Sequence, residues 1–255
     1  MLIRRIVESL RQRRWADIVT ELTIVVGGVF LGIQAANWND DRLEREKGRL
    51  FVERLTEDLR KDLDSRLALV SYYEAVISSI EKTVGRLNSE SIDDPLGLVI
   101  DAYRATEYNH RSPTRATFDE IVSTGSLGLI PESARKAGLV DYYRYDNSLA
   151  MREAVREAPY RVRVRSVIPH DLQSAIRATC SDLFSSTFER IGFNDDCELD
   201  VSTEHVAETA TRLHSDEELL GNLRFHYSVV NAQLPNFRGE VVILEAAIEA
   251  LTTPQ

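Results

Sequence analysis

Leu22-Thr-Ile-Val-Val-Gly-Gly-Val-Phe-Leu-Gly-Ile-Gln-Ala-Ala36 is a run of 15 residues without a charge. A spanning helix needs about 20 residues, and the flanks supply the rest. Trp15 and Trp38 are the 2 tryptophans of the chain. They lie roughly 34 Å apart along a helix rising ~1.5 Å per residue. That separation places both indoles at the headgroup belts of a bilayer with a ~30 Å hydrocarbon core. The expectation is a transmembrane helix over residues 15–38, with Trp15 and Trp38 as interface anchors. The competing reading is a buried helix of a soluble core.

Upstream, Arg4, Arg5, Arg11, Arg13 and Arg14 stand against one acid, Glu8. Leu2, Ile3, Ile6, Val7 and Leu10 recur at helical spacing. Residues 1–14 therefore read as a basic amphipathic helix of the kind that lies on an anionic membrane surface. Ala35-Ala36 offers small residues for a signal-peptide cleavage site. Asp17 and Glu21 interrupt the approach to the apolar run, which favours an uncleaved anchor. Arg13 and Arg14 at one edge, against Asp40 and Asp41 at the other, favour a cytoplasmic N-terminus. The expectation is a membrane crossed once, with most of the chain outside the cytoplasm.

On a wheel of ~100° per residue the segment has distinct faces. Leu22, Val26, Val29 and Ile33 form an aliphatic stripe suited to lipid. Glu21, Gly28, Gly32 and Ala35 fall on a second stripe with Asp17, Val25 and Asn39, and Gly28 and Gly32 form a GxxxG that lets a helix backbone approach closely. Glu21 either faces a partner or stays wet at the headgroups.

The formal net charge is −10, which argues against nucleic acid as a partner. Twelve Gly and seven Pro are few for 255 residues and suit long helices. From Asn39 to Asn88 there is no Pro. Val52, Leu55, Leu59, Leu63, Leu67, Val70, Tyr73, Ile77, Ile80, Val84 and Leu87 step by threes and fours. One long amphipathic, coiled-coil-like helix continuous with the span is predicted. Such a helix is stable only if its stripe packs on other helices.

Asp94-Pro95 is a helix start, a side-chain cap followed by a residue that needs no donor. Residues 107–114 read as a loop. Thr117-x-x-Glu120 is a capping box, and Gly125 ends that helix in a left-handed turn. Pro131-Glu132 opens a helix running towards Ala158. Arg161, Arg163 and Arg165 alternate with Val162 and Val164, either as a short strand or as the solvated face of a helix reaching Val167. Residues 170–190 read as helix and 192–200 as loop. Ser215-x-x-Glu218 is a second capping box, opening a helix towards Leu251 that Pro235 kinks or breaks. The predicted fold is all-α, with residues 39–251 forming an extracytoplasmic helical bundle.

Glu21, Val25-Val26-Gly27, Gln34 and Asn37-Trp38-Asn39, continued by Asp40-Asp41-Arg42-Leu43-Glu44-Arg45-Glu46, resemble a family of bacterial single-pass membrane proteins known as a domain of unknown function. Thr117-Phe-Asp-Glu-Ile121, Ser123-Thr-Gly-Ser-Leu-Gly-Leu-Ile130 and Tyr142-Tyr143 look like that family's second recurring segment. The likeness covers residues 18–60 and 116–145. It implies a membrane anchor with a mostly helical domain and implies no activity.

No phosphate loop, dinucleotide fingerprint, HExxH or GxSxG occurs. Gly125-Ser126-Leu127-Gly128 lacks the spacing of a nucleophile elbow, so Ser126 is not expected to be catalytic. His110, His170, His205, His214 and His226 share no ligand spacing, and His110 and His214 read as surface residues. Glu153 with Glu157, and Asp58 with Asp62, read as solvated faces. No metal, cofactor or catalytic residue is assigned. Cys180 and Cys197 either form a bridge, allowed outside the cytoplasm, or are two unrelated buried thiols.

The expected function is association: a scaffold, assembly factor or sensor-like accessory subunit, held in the lipid bilayer and partnered by another membrane protein or a second copy. The alternative is a ligand-binding, or enzymatic, helical domain. It would take a small anion on scattered residues, Arg115, Arg135, Arg144, Arg161 and Tyr142 to Tyr145.

Overall fold

The structure is a computed structural model that describes the backbone of residues 2–253 and the side chains of Trp15 and residues 19–253. The basic face expected over residues 1–14 lies outside the described side chains. The chain divides into two compact units, residues 1–51 and 52–255.

Helix α1 runs Leu2–Leu87 without interruption. The span and the amphipathic stretch are therefore one helix, as the absence of Pro foretold. In the second unit α1 is followed by α2 (Pro95–Arg104), α3 (Ala116–Ser123) and a 3-10 turn at Ser126–Leu129. Then come α4 (Glu132–Ala134), a π-helical turn over Arg135–Leu139 and α5 (Val140–Arg144). Helices α6 (Asn147–Arg156), α7 (Pro159–Val167) and α8 (His170–Thr179) lead into strands β1 (Asp182–Phe184) and β2 (Arg190–Phe193). Helices α9 (Thr203–His214) and α10 (Leu219–Thr252) close the chain. The fold is mostly helical with one small two-stranded sheet.

Local signals hold where nothing distant competes. Asp94 caps α2, its Oδ1 accepting from the Gly97 amide at 2.8 Å. Gly125 takes φ 66° just past α3, a backbone shape open to glycine at little cost. Residues 161–165 lie inside α7 and are helical.

Elsewhere tertiary contacts override local ones. The Thr117 hydroxyl donates to Asp58 Oδ2 at 2.6 Å and Glu120 pairs with Arg54, so both members of the expected box reach α1, and α3 has no side-chain cap. Ser215 ends α9 instead of opening α10, donating back to the Thr211 carbonyl. The single helix expected from Pro131 to Ala158 is broken. Gly138 sits at φ 98°, Tyr145 is extended, and Asp146 caps α6 by accepting from the Leu149 amide at 2.9 Å. Helix α10 runs on through Pro235. A proline inside a helix costs about 3 kcal/mol. Buried Val230, Leu234, Phe237, Leu244 and Ala247 flank it on both sides and hold the helix against the core.

The all-α expectation fails at residues 182–193. Helix α8 stops at Thr179, and β1 and β2 pair antiparallel with Asp182 opposite Phe193 and Leu183 opposite Gly192. The hairpin is tied to α1: the Ser71 hydroxyl donates to the Ile191 carbonyl at 2.8 Å, and Ser65 to Glu189 at 3.0 Å. Strands of three and four residues are too short to show an alternating pattern.

One hydrophobic core joins Leu69, Tyr72, Tyr73, Val76 and Ile80 of α1 to residues of α2 and α6 through α10. Tyr73 stacks on Phe237 with ring centroids 5.4 Å apart, and Tyr72 meets Phe193 at 5.3 Å.

Candidate functional site

Residues 19–46 of α1 are exposed apart from the partly covered Gly27. Trp15 and Trp38 are both exposed, and so are Leu22, Val26, Val29, Leu31 and Ile33. Among the described residues, the apolar window that begins near Val19 is the one long and apolar enough to cross a membrane, and none of it is buried. Glu21 and Ala35 are exposed as well. A Cβ added at Gly28 or Gly32 would meet nothing within 4 Å. Among the described residues no contact explains those two glycines, and the groove they leave is open. Thr23 is satisfied locally, its hydroxyl donating to the Val19 carbonyl at 2.7 Å.

The sulfurs of Cys180 and Cys197 are bonded, 17 residues apart in sequence. The bridge spans the β1–β2 hairpin, running from the C-terminal end of α8 to the loop before α9.

The arginine and tyrosine pool is dispersed. Arg115 is taken by Asp119 at 3.0 Å and by the Tyr143 carbonyl. Arg144 pairs with Asp141 at 3.2 Å, and Arg135 and Tyr145 are exposed. Arg161 donates to the Thr106 carbonyl and lies 4.9 Å from the centre of the Tyr108 ring. Arg115, Arg144 and Arg161 each have their own neighbours, and the pool does not converge on one anion site.

A buried polar cluster stands where the sequence promised a solvated face. Asp62 is 3% exposed and accepts from the Thr114 amide and hydroxyl, at 2.9 and 2.7 Å, and from the Tyr142 hydroxyl at 2.9 Å. Arg66, 1% exposed, lies 2.6 Å from Glu240 and donates to the Arg111 carbonyl at 2.7 Å. Burial raises the Glu240 carboxyl above its ordinary range, against the pull of Arg66 and Asn147. Burial and the nearby Asp62 likewise raise the Tyr142 phenol, although Arg66 opposes them. The expected apolar stripe had Leu63 and Leu67 here. Leu67 is exposed, and α1 is turned so that Asp62 and Arg66 face inwards. Asp62, Arg66 and Glu240 each contact other protein groups, while the buried Arg66 Nη2 has no hydrogen-bond partner among the described residues. The other acidic pair, Glu153 and Glu157, is exposed as expected.

The histidines stay apart. His226 is buried, bonded to the Ala105 carbonyl at 3.0 Å, and desolvation lowers its pKa to about 4. His110 and His214 are half-buried instead of exposed, near Asp146 and the Ser89 carbonyl. Among the described residues no cluster of three or more His, Cys, Asp or Glu is placed to hold a metal. Ser126 lies 2.9 Å from the Thr124 hydroxyl.

Comparison with protein-family models, with curated proteins and with solved structures finds no match.

Proposed function

We propose that this chain is a membrane-anchored helical module that works by lateral association with a membrane protein, a second copy included, and not by catalysis. The observation that carries the reading is the exposed apolar stretch of α1 with its open glycine groove. In water so large an apolar surface would be an association hazard. In a bilayer it is the ordinary lipid-facing surface of a spanning helix. Exposed Trp15 and Trp38 suit the two headgroup belts. The arginines ahead of Trp15 suit a cytoplasmic N-terminus, which leaves residues 39–251 as an extracytoplasmic helical bundle. The Cys180–Cys197 bond fits that side of the membrane. The likeness of residues 18–60 and 116–145 to the single-pass bacterial family points the same way. A reporter active only outside the cytoplasm, fused after Gln255, is expected to work.

Association is tested on the helix faces. Gly28→Ile with Gly32→Ile would hold neighbouring backbones apart. Val29→Leu with Ile33→Leu changes the lipid face and leaves the groove alone. Crosslinking in native membranes should fall for the glycine pair and persist for the control. Parent-like crosslinking by both variants, or none by the parent, reduces the span to an anchor.

A further inference from the structure

The end of α2, helix α8 and the β1–β2 hairpin line a half-open cavity of about 320 Å³ beside the disulfide. Its walls carry Arg104, Arg177 and Arg190 together with Glu107 and Asp182, over an apolar patch of Ile176 and Phe193.

The charges around it do not cancel. Arg104 pairs with Asp195 at 2.9 Å, Arg190 with Asp182 at 3.3 Å, and Arg165 of α7 with Glu107 at 2.8 Å. Arg161, next to Arg165, meets only the Thr106 carbonyl and the Tyr108 ring. Arg177 has no carboxylate within ion-pair distance among the described residues. Its Nε donates to the Tyr103 hydroxyl at 2.6 Å, and its two terminal amino groups find no acceptor among the described residues. Three arginines and two carboxylates thus line the cavity in a chain whose net charge is −10. The excess is local, and the solvent-exposed Arg177 fork lines the cavity with no acceptor for its terminal amino groups among the described residues.

The fork is held in place. Tyr103 is buried, accepts the Arg177 Nε–H, and has the Arg165 guanidinium 3.5 Å from its ring centre. Arg104 fixes the opposite wall through Asp195 and the Asn194 carbonyl, with its Nη2 3.9 Å from the Cys197 sulfur. A guanidinium with two free amino groups suits bidentate contact with a carboxylate. Glu107 and Asp182 nearby would repel a dianion, and they can accept from a donor on the ligand.

We propose that this cavity binds a small monocarboxylate bearing its own hydrogen-bond donor, an α-amino or α-hydroxy acid in its simplest form. The carboxylate lies on the Arg177 fork, the donor turns to Asp182 or Glu107, and the side chain covers Ile176 and Phe193. This site goes beyond lateral association and stands entirely on residues of the 52–255 unit.

The test uses the full chain in detergent micelles and ligand-observed NMR titrations with L-leucine, L-lactate and inorganic phosphate. L-leucine or L-lactate should bind saturably and more tightly than phosphate. Arg177→Gln should raise the dissociation constant about tenfold or more with the melting midpoint kept, because Arg177 is exposed. Arg144→Gln, on an exposed arginine paired with Asp141, should bind as the parent does. No saturable binding of either acid up to about 20 mM, tighter binding of phosphate, or parent-like binding by Arg177→Gln would each overturn the proposal.

Discussion

Between Val19 and Trp38, α1 presents apolar side chains outwards, Leu31 at 68% exposed. Between Leu55 and Ile80 the same helix turns polar ones inwards, Asp62 at 3% and Arg66 at 1%. The first stretch inverts the ordinary rule of apolar inside and polar outside, and the second departs from it at Asp62 and Arg66, set among buried Leu55, Leu59, Leu69 and Ile80. The second resolves the inversion within the chain, because Thr114, Tyr142, Arg111 and Glu240 surround the buried charges. The first has no such covering among the described residues, and the bilayer proposed above would supply it. Polarity alone does not say where a side chain goes; the available partners do.

The largest expected effect sharpens this contrast on the inner side. Arg66→Ala leaves Glu240 buried without its cation and should destabilise by about 3–5 kcal/mol. Leu31→Ala, on the exposed stretch, should move the same transition by no more than about 0.5 kcal/mol. Thermal unfolding of the full chain in detergent, followed by the near-UV signal of the buried tyrosines, measures both. A parent-like midpoint for Arg66→Ala would erase the contrast.

Next comes the bridge. Cys180→Ser with Cys197→Ser opens a loop closed across 17 residues. The loss should be about 3 kcal/mol in the chain-entropy account. A non-reduced digest of protein from native membranes should contain the linked peptide. Two freely alkylated thiols would place this unit in a reducing compartment and weaken the proposed topology.

An effect no larger, and confined to acid, comes from His226. Its folded pKa is about 4, below the ordinary value of about 6.5. The neutral ring is the form the fold accommodates, so stability is complete above pH ~6.5 and falls as pH drops towards 4. The loss attributable to this residue approaches about 3 kcal/mol at the bottom of that window. Glu240, whose pKa is raised by burial, has the opposite sign, and it is common to parent and variant. The difference in melting midpoint between parent and His226→Gln, taken at several pH values, isolates the histidine. A difference that does not change between pH 6.5 and 4 contradicts the assignment.

What was legible in the sequence was local. The continuity of α1, the Asp94 cap, the turn at Gly125 and the helix over 161–165 each follow from a few neighbouring residues. The misses share a cause: a distant partner outbid the near one. Thr117 and Glu120 serve α1 instead of their own helix end, and Ser215 bonds backwards to α9. Pro235 is carried by the packing on either side of it. The stripe through Leu63 and Leu67 was misplaced by one position, because Asp62 and Arg66 have partners 50 and more residues away. Of the candidate sites, the Gly28 and Gly32 stripe was read from periodicity, and because the stretch is exposed on all sides the stripe stands as a proposal. The Arg177 cavity was not, since α2, α8 and the hairpin meet there only in three dimensions. The alternation of Arg161, Arg163 and Arg165 was the one local hint, and Arg163 turns away to Asp216 at 2.5 Å.

The central claim is that the exposed apolar stretch of α1 lies in a bilayer, and fractionation of the full-length chain tests it most directly. After an alkaline carbonate wash that strips peripheral proteins, the chain should remain in the membrane pellet and should be released by detergent. Full-length protein in the soluble fraction without detergent would contradict the claim.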